Sequence, residues 1–184
     1  MYRKLYGKIK EKLKCMWNKM QKFSLEKVKK EEENILQNLL EFYLYDFNFF
    51  YEDDLNANGR FEFIDTSEYF KKEKYEAFFI KVKDKLAGFI LINNNTELIK
   101  NGTRIEEFWI MPKYRKGYFA FSVLKEVFSR YQNEIEFIIL EQNKRWLKAI
   151  DYLINKNYII LEKKEIIKWD TEKFKLYLIK NNKI

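Results

Sequence analysis

The segment from Ile105 to Ala120 reads I-E-E-F-W-I-M-P-K-Y-R-K-G-Y-F-A and continues without a break into F-S-V-L-K-E-V-F-S-R. A strand-like apolar run enters a short basic loop, and the loop becomes the first turn of a helix at Phe119. This constrains the fold more than any other stretch, because the new helix opens with N–H groups that have no partner inside it. Together with the positive end of the helix dipole and the loop's own amides, they converge on a site where an anion such as phosphate can sit.

The remaining periodicities surround this unit with a mixed α/β domain. Asn34 to Phe50 carries leucines and aromatics at three- and four-residue spacing and predicts a helix, with Tyr43, Tyr45 and Asp46 near its end. Phe78 to Val82 and Leu86 to Ile92 predict adjacent strands joined at Asp84-Lys85, and Ile135 to Leu140 predicts a buried strand. Tyr158 to Ile167 and Phe174 to Ile179 predict the last strands. Lys27 to Lys30 followed by Glu31 to Glu33 reads as a solvated helix face. Asp54 to Asp65, D-L-N-A-N-G-R-F-E-F-I-D, has several features of a calcium loop but ends in Asp in place of the bidentate Glu. It reads instead as an Asx-turn loop with Gly59 left-handed, leading into a strand at Phe61 to Ile64, and no metal site is expected.

A chain of 184 residues suits one domain with a sizeable core. No apolar run approaches the roughly 18 residues of a membrane span, and the single cysteine, Cys15, forbids an intramolecular disulfide. A cytoplasmic protein is the expectation. The absence of histidine removes imidazole bases, Ser-His-Asp and Cys-His catalysis and imidazole-based zinc sites. Proton transfer falls to Glu, Asp, Tyr, Lys or water.

Charge divides the chain unequally. Residues 1 to 22 hold eight basic side chains against Glu11 alone, which is +7 of the total +8. In the same stretch Tyr2, Leu5, Tyr6, Ile9, Leu13, Met16, Trp17 and Met20 recur at helical spacing, so residues 1-22 read as a basic amphipathic helical extension and 23-184 as the domain. Such an extension fits a membrane surface, an acidic partner, or packing on the domain itself. The nearly neutral remainder argues against a nucleic-acid-binding domain.

The E-F-W-I-M-P-K-Y-R run, with the turn and helix after it, resembles the acyl-CoA-binding signature of the GNAT superfamily of N-acetyltransferases, R/Q-x-x-G-x-G/A. Arg115 takes the first position and Ala120 the last, while Tyr118 stands where the first glycine belongs and Gly117 lies one residue early. Ile35 to Phe47 resembles the first helix of a GNAT subgroup with a Y-L-Y-D-F end, and Asp54 to Phe61 its following Asp/Asn/Gly loop. The resemblance runs from about Phe23 to Lys180 in the family's order of elements.

The resemblance implies a GNAT-like fold: a mixed, largely antiparallel sheet flanked by helices, with acetyl-CoA in the splay between the signature strand and the strand at Ile135. It implies transfer of acetyl from acetyl-CoA to a primary amine of a small molecule or a protein. Backbone groups of Gly117, Tyr118, Phe119 and Ala120 would hold the pyrophosphate, Arg115 and Lys116 would add charge, and an N–H near Ile110 or Met111 would polarise the thioester. Glu106 and Glu107 face opposite sides of an ideal strand, so at most one reaches the reacting centre, and Glu106 is preferred as proton acceptor. Asn143 would cap the next helix or bond the pantetheine arm. Tyr152, offset by one from the family's thiolate-protonating tyrosine, is the candidate acid, and Tyr43, Tyr45 and Asp46 would border the acceptor. The alternative is a GNAT-like binding or accessory protein without transfer activity, tethered through its basic helix. Its motive is the tyrosine in the glycine position.

Overall fold

The computed structural model describes residues 22–61, 64–100, 102–116, 118–131, 134–168 and 172–181, with residues 152–159, 168 and 181 described by their backbone alone. The predicted amphipathic helix at 1–21 and Gly117 lie outside the described residues.

A seven-stranded sheet runs in the order β1-β2-β3-β4-β5-β7-β6. Its strands are β1 (Phe23–Lys27), β2 (Glu76–Val82), β3 (Lys85–Asn93), β4 (Thr103–Ile110), β5 (Ile135–Leu140), β6 (Tyr158–Lys168) and β7 (Glu172–Asn181). All neighbours pair antiparallel except β4 and β5. Among the described residues the helices are α1 (Glu33–Tyr51), α2 (Phe119–Arg130) and α3 (Lys144–Asn157).

Helices cover both faces, as the strand patterns require. Leu36, Leu40 and Tyr43 of α1 pack with Phe79, Phe89, Leu91 and Trp109 on one side. Val123, Leu124, Val127 and Phe128 of α2, with Ile150 of α3, pack with Ile80, Ile90, Ile92, Ile105 and Phe137 on the other. Strands buried on both faces read as apolar runs, as β3 does throughout Leu86 to Ile92 and β5 does apart from the buried Glu136.

Four local features depart from the sequence reading, the first being Lys27 to Glu33, where Lys27 closes β1, Lys30–Glu32 form a 3-10 turn and only Glu33 enters α1. β1 carries no strand signal of its own, because its F-S-L-E-K pattern buries only Leu25 and its existence depends on pairing with β2. The β2–β3 turn is centred on Lys83 and Asp84, both at positive φ (50 and 62), one residue before the expected junction. That double left-handed turn is the hairpin type that matches strand twist. Phe61 is buried yet neither it nor Ile64 belongs to a strand, and residues 62–63 lie outside the described set. The expected Asx turn is present: Asn56 Oδ1 accepts the N–H groups of Asn58 (2.9 Å) and Arg60 (3.2 Å), and Gly59 sits at φ +69.

β4 and β5 pair parallel only over Thr103↔Ile135, Arg104↔Glu136 and Ile105↔Phe137. Beyond Ile105 the paired register ends, opening the sheet between the C-terminal half of β4 and that of β5.

Candidate active site

The opening is the mouth of a cleft of about 1240 Å³ that passes from the α2–α3 side of the sheet to the α1 side. Ala120, Phe121 and Leu124 of α2, Phe137 and Ile139 of β5 and Trp146 and Ile150 of α3 give one end apolar walls, with Lys144 and Arg145 at the start of α3. The α1 end is lined by Tyr43, Asp46, Phe47, Tyr51, Asp53, Glu106 and Glu107. The charged groups are thus sorted, with carboxylates concentrated towards α1.

A bulge in β4 creates this arrangement. Leu91 pairs with Glu107 and Ile92 with Ile105, so Glu106 is the extra residue. Alternation is broken there, and both glutamates turn to the α1 face instead of opposite faces. Glu107 accepts a hydrogen bond from the Tyr43 hydroxyl. Glu106 accepts one from Asn93 Nδ2 at 3.3 Å, and its Oε2 lies 3.8 Å from Arg104 Nε. The regular spacing read from I-E-E-F could not reveal a bulge whose cause is pairing with β3.

Arg104 belongs to a buried charge network. It lies 3.0 Å from fully buried Glu136, donates to Glu97 at 3.1 Å and to the Asn95 carbonyl at 2.6 Å. Glu136 in turn accepts the N–H groups of Glu97 and Leu98, each at 2.9 Å. With two acids and a carbonyl already around it, Arg104 leaves Glu106 with a distant cation and one long hydrogen bond. No spacing in the sequence joins Arg104 to Glu136, since the contact arises from the parallel β4–β5 register.

Ladder geometry decides which β4 amides face the cleft. The Met111 N–H donates to the Ala87 carbonyl at 2.8 Å, so it cannot polarise a thioester, contrary to one of the two expectations. With Met111 bonded to β3, antiparallel alternation turns the N–H groups of Ile110 and Phe108 away from β3, towards the side that β5 has left. The Ile110 carbonyl points the same way and accepts from Arg115 Nε at 2.5 Å.

Arg115 does not stand ready for phosphate. Its guanidinium is ion-paired with Asp46 and lies 5.8 Å over the Trp109 ring, while Trp109 Nε1 donates to the same Asp46 oxygen at 2.7 Å. Asp46, expected at the acceptor, is the hub that ties α1 to β4 and the basic loop. Tyr118 is the N-cap of α2 at φ −100, ψ 18, so its place in the glycine position imposes no left-handed backbone. Its ring packs on Phe121 at 5.8 Å. Lys116 is exposed, and Phe119 is buried against Tyr114 and Phe23. Asn143 caps α3, its Oδ1 accepting the Trp146 N–H at 3.1 Å. Tyr45 is solvent-exposed, and Tyr152 lies in α3 with its side chain outside the described set.

Two phenols at the α1 end are perturbed. Burial first, then the neighbouring Glu107 carboxylate, raise Tyr43 well above its ordinary value. Tyr51 is pushed up to about 12 by burial first, then by the carboxylates of Glu172, Glu107 and Asp53.

The sequence profile of the acetyltransferase (GNAT) family matches residues 36–153. The chain belongs to the GNAT acetyltransferase family. No curated protein sequence matches it significantly. Its fold is shared with solved structures of low identity. An acetyltransferase from Thermus thermophilus is 9% identical at TM-score 0.59, with 85% of this chain and 95% of that one covered. A Vibrio cholerae spermidine N-acetyltransferase in complex with CoA and spermine is 10% identical at TM-score 0.58, covering 85% and 94%. Arabidopsis thaliana NAA60 in complex with a bisubstrate analogue is 12% identical at TM-score 0.54, covering 88% and 100%. The matched residues take in α1 from Leu36 onward, β4 and the basic turn after it. Among the described residues, no helix of this GNAT chain is long and apolar enough to cross a membrane.

Proposed function

We propose that the protein is an N-acetyltransferase that moves acetyl from acetyl-CoA to the primary amine of a small cationic acceptor. The observation that carries this reading is the bulge at Glu106, which brings two carboxylates to the α1 end of a cleft whose other end is apolar and bordered by Lys144 and Arg145. An apolar passage suits a pantetheine arm, basic residues suit its phosphates, and carboxylates with aromatic walls suit an amine. The fit is incomplete at Arg115, whose charge is taken up by Asp46. Lys116, Lys144, Arg145 and the first-turn amides of α2 at Phe119 and Ala120 carry the anion-binding role instead. The Y-L-Y-D-F end of α1 supports membership of the subgroup that shares it, because Tyr43 and Asp46 within it both contact β4.

Acetyl-CoA supplies an acyl group activated as a thioester. Phe108 and Ile110 N–H groups on the open edge of β4 polarise its carbonyl oxygen. Glu106 takes the proton that the acceptor nitrogen loses as the new carbon–nitrogen bond forms and the carbon–sulfur bond breaks. Of the two glutamates it is the better base, since Glu107 is engaged by the Tyr43 hydroxyl and serves to hold the cationic acceptor. Tyr152 returns a proton to the departing sulfur. The acceptor class follows from the carboxylates at the α1 end, and the fold relative that carries spermine is named for the same chemistry.

Titration of acetyl-CoA by calorimetry, followed by turnover with a panel of polyamines and monoamines, tests the reading. Micromolar binding that weakens at least tenfold in Lys144→Glu/Arg145→Glu, with turnover of cationic amines, is the expected result. A folded protein that binds no acetyl-CoA overturns it.

A further inference from the structure

The outer edge of α1 presents an aromatic stripe to solvent. Phe42, Tyr45 and Phe49 are 60%, 71% and 84% exposed and stand at i, i+3 and i+7. The stripe lies on one flank of the helix, beside the cleft mouth, because the Phe42 ring stacks on Trp109 at 6.3 Å. Its surroundings are acidic: from Glu31 to Gly59 the sequence has no lysine or arginine, and, apart from Asp46 and Glu41, which pair with Arg115 and Arg60, it carries Glu52, Asp53 and Asp54 at and just beyond the end of α1. Three exposed aromatics on one helical edge are costly in water and mark a surface that something covers.

We infer that the chain's own N-terminal segment, residues 1–21, docks along this edge of α1. Two properties of the sequence match it to the surface. The segment's apolar residues recur at helical spacing and include Tyr6, Leu13 and Trp17, and its charge is strongly positive where Glu52, Asp53 and Asp54 make the end of α1 negative. A third argument is where the segment joins the sheet. β1 starts at Phe23, opposite Val82, at the hairpin end of the sheet, and Gly88↔Ile110 places the Trp109 end of β4 at that same end. Three inter-strand gaps separate β1 from β4, about 14 Å. Twenty-one residues in a helix span about 30 Å, enough to round the sheet end and lie along the C-terminal half of α1.

The native chain offers a direct test, because Cys15 is its only cysteine. Phe49→Cys, at a fully accessible position, is treated with a short bismaleimide in the full-length protein, with Ser129→Cys on α2 as the distant control. The expected product is a cross-link within one chain between Cys15 and position 49. It is at least fivefold more abundant than the control and is reduced in ~1 M salt, where the Debye length falls to ~3 Å. Equal cross-linking at both positions, or cross-links only between chains, overturns the inference, the latter in favour of a second copy. Sedimentation with anionic vesicles and no cross-link at position 49 overturns it in favour of a membrane surface.

Discussion

Arg115 and Asp46 form an ion pair across the cleft mouth, joining the basic loop after β4 to the end of α1. Sixty-nine residues separate them in sequence, and both looked like ligand-binding groups when read alone. Together they neutralise one another and hold the Trp109 indole between them. The basic turn therefore has a structural arginine where the family signature leads one to expect a phosphate contact.

Asp46→Ala should destabilise the protein by about 1–3 kcal/mol, since it leaves the Trp109 N–H without its acceptor and frees the guanidinium. Urea denaturation of Asp46→Ala, Arg115→Gln and the double variant gives the coupling, expected at about 1 kcal/mol. A coupling of zero would show that the pair is incidental to α1 docking.

Gly88 is required by proximity, not by backbone angle. A Cβ there would lie 2.1 Å from the Trp109 carbonyl oxygen, which belongs to the neighbouring strand and cannot yield cheaply. Gly88→Ala should force β3 from β4, lower stability by about 1–3 kcal/mol and weaken acetyl-CoA binding through displaced Ile110. Thermal melting and calorimetry on the same preparation check both effects, and an unchanged melting temperature would contradict the strand spacing.

Glu136 is fully buried with Arg104 and two backbone N–H groups. Removing one member of a buried pair costs about 3–5 kcal/mol, so Glu136→Leu should fall in that range and be insensitive to salt. Glu136→Gln, which retains an acceptor for the amides, should cost less. Guanidinium chloride would obscure the salt comparison, so urea with and without added sodium chloride is the appropriate measurement.

Alkaline stability follows from the phenols. Tyr51 titrates near 12 when folded, against 10.0 for an unperturbed tyrosine, and Tyr43 is also raised well above that value. Their contribution is complete below pH 10. Above it the unfolded chain releases protons that the folded chain retains, so stability falls as pH rises through that window. Tyr43→Phe should make the decline in urea midpoint shallower. An identical slope in the variant would mean that Tyr43 ionises normally.

If acetyl transfer is the activity, Glu106→Gln should lower kcat by about 10²–10⁴-fold with little change in acetyl-CoA affinity. Glu107→Gln should act mainly on the KM of the cationic acceptor. The reverse division, read from steady-state kinetics, would exchange the two roles.

Elements whose signal is local were legible from the residues alone. Leu36, Leu40 and Tyr43 at helical spacing announced α1, the apolar runs announced β3 and β5, and the strand–basic loop–helix unit at Ile105 to Arg130 announced the family's fold. Features that depend on partners distant in the chain emerged only once it was folded. The edge strand β1 exists through β2, the bulge at Glu106 through register with β3, the commitment of Met111's N–H through Ala87, and the neutralisation of Arg115 through Asp46. One cause is common to all four. Periodicity reports which face of an element is apolar, whereas hydrogen-bond register and ion pairing are set between elements, where neighbouring residues in sequence carry no record of them.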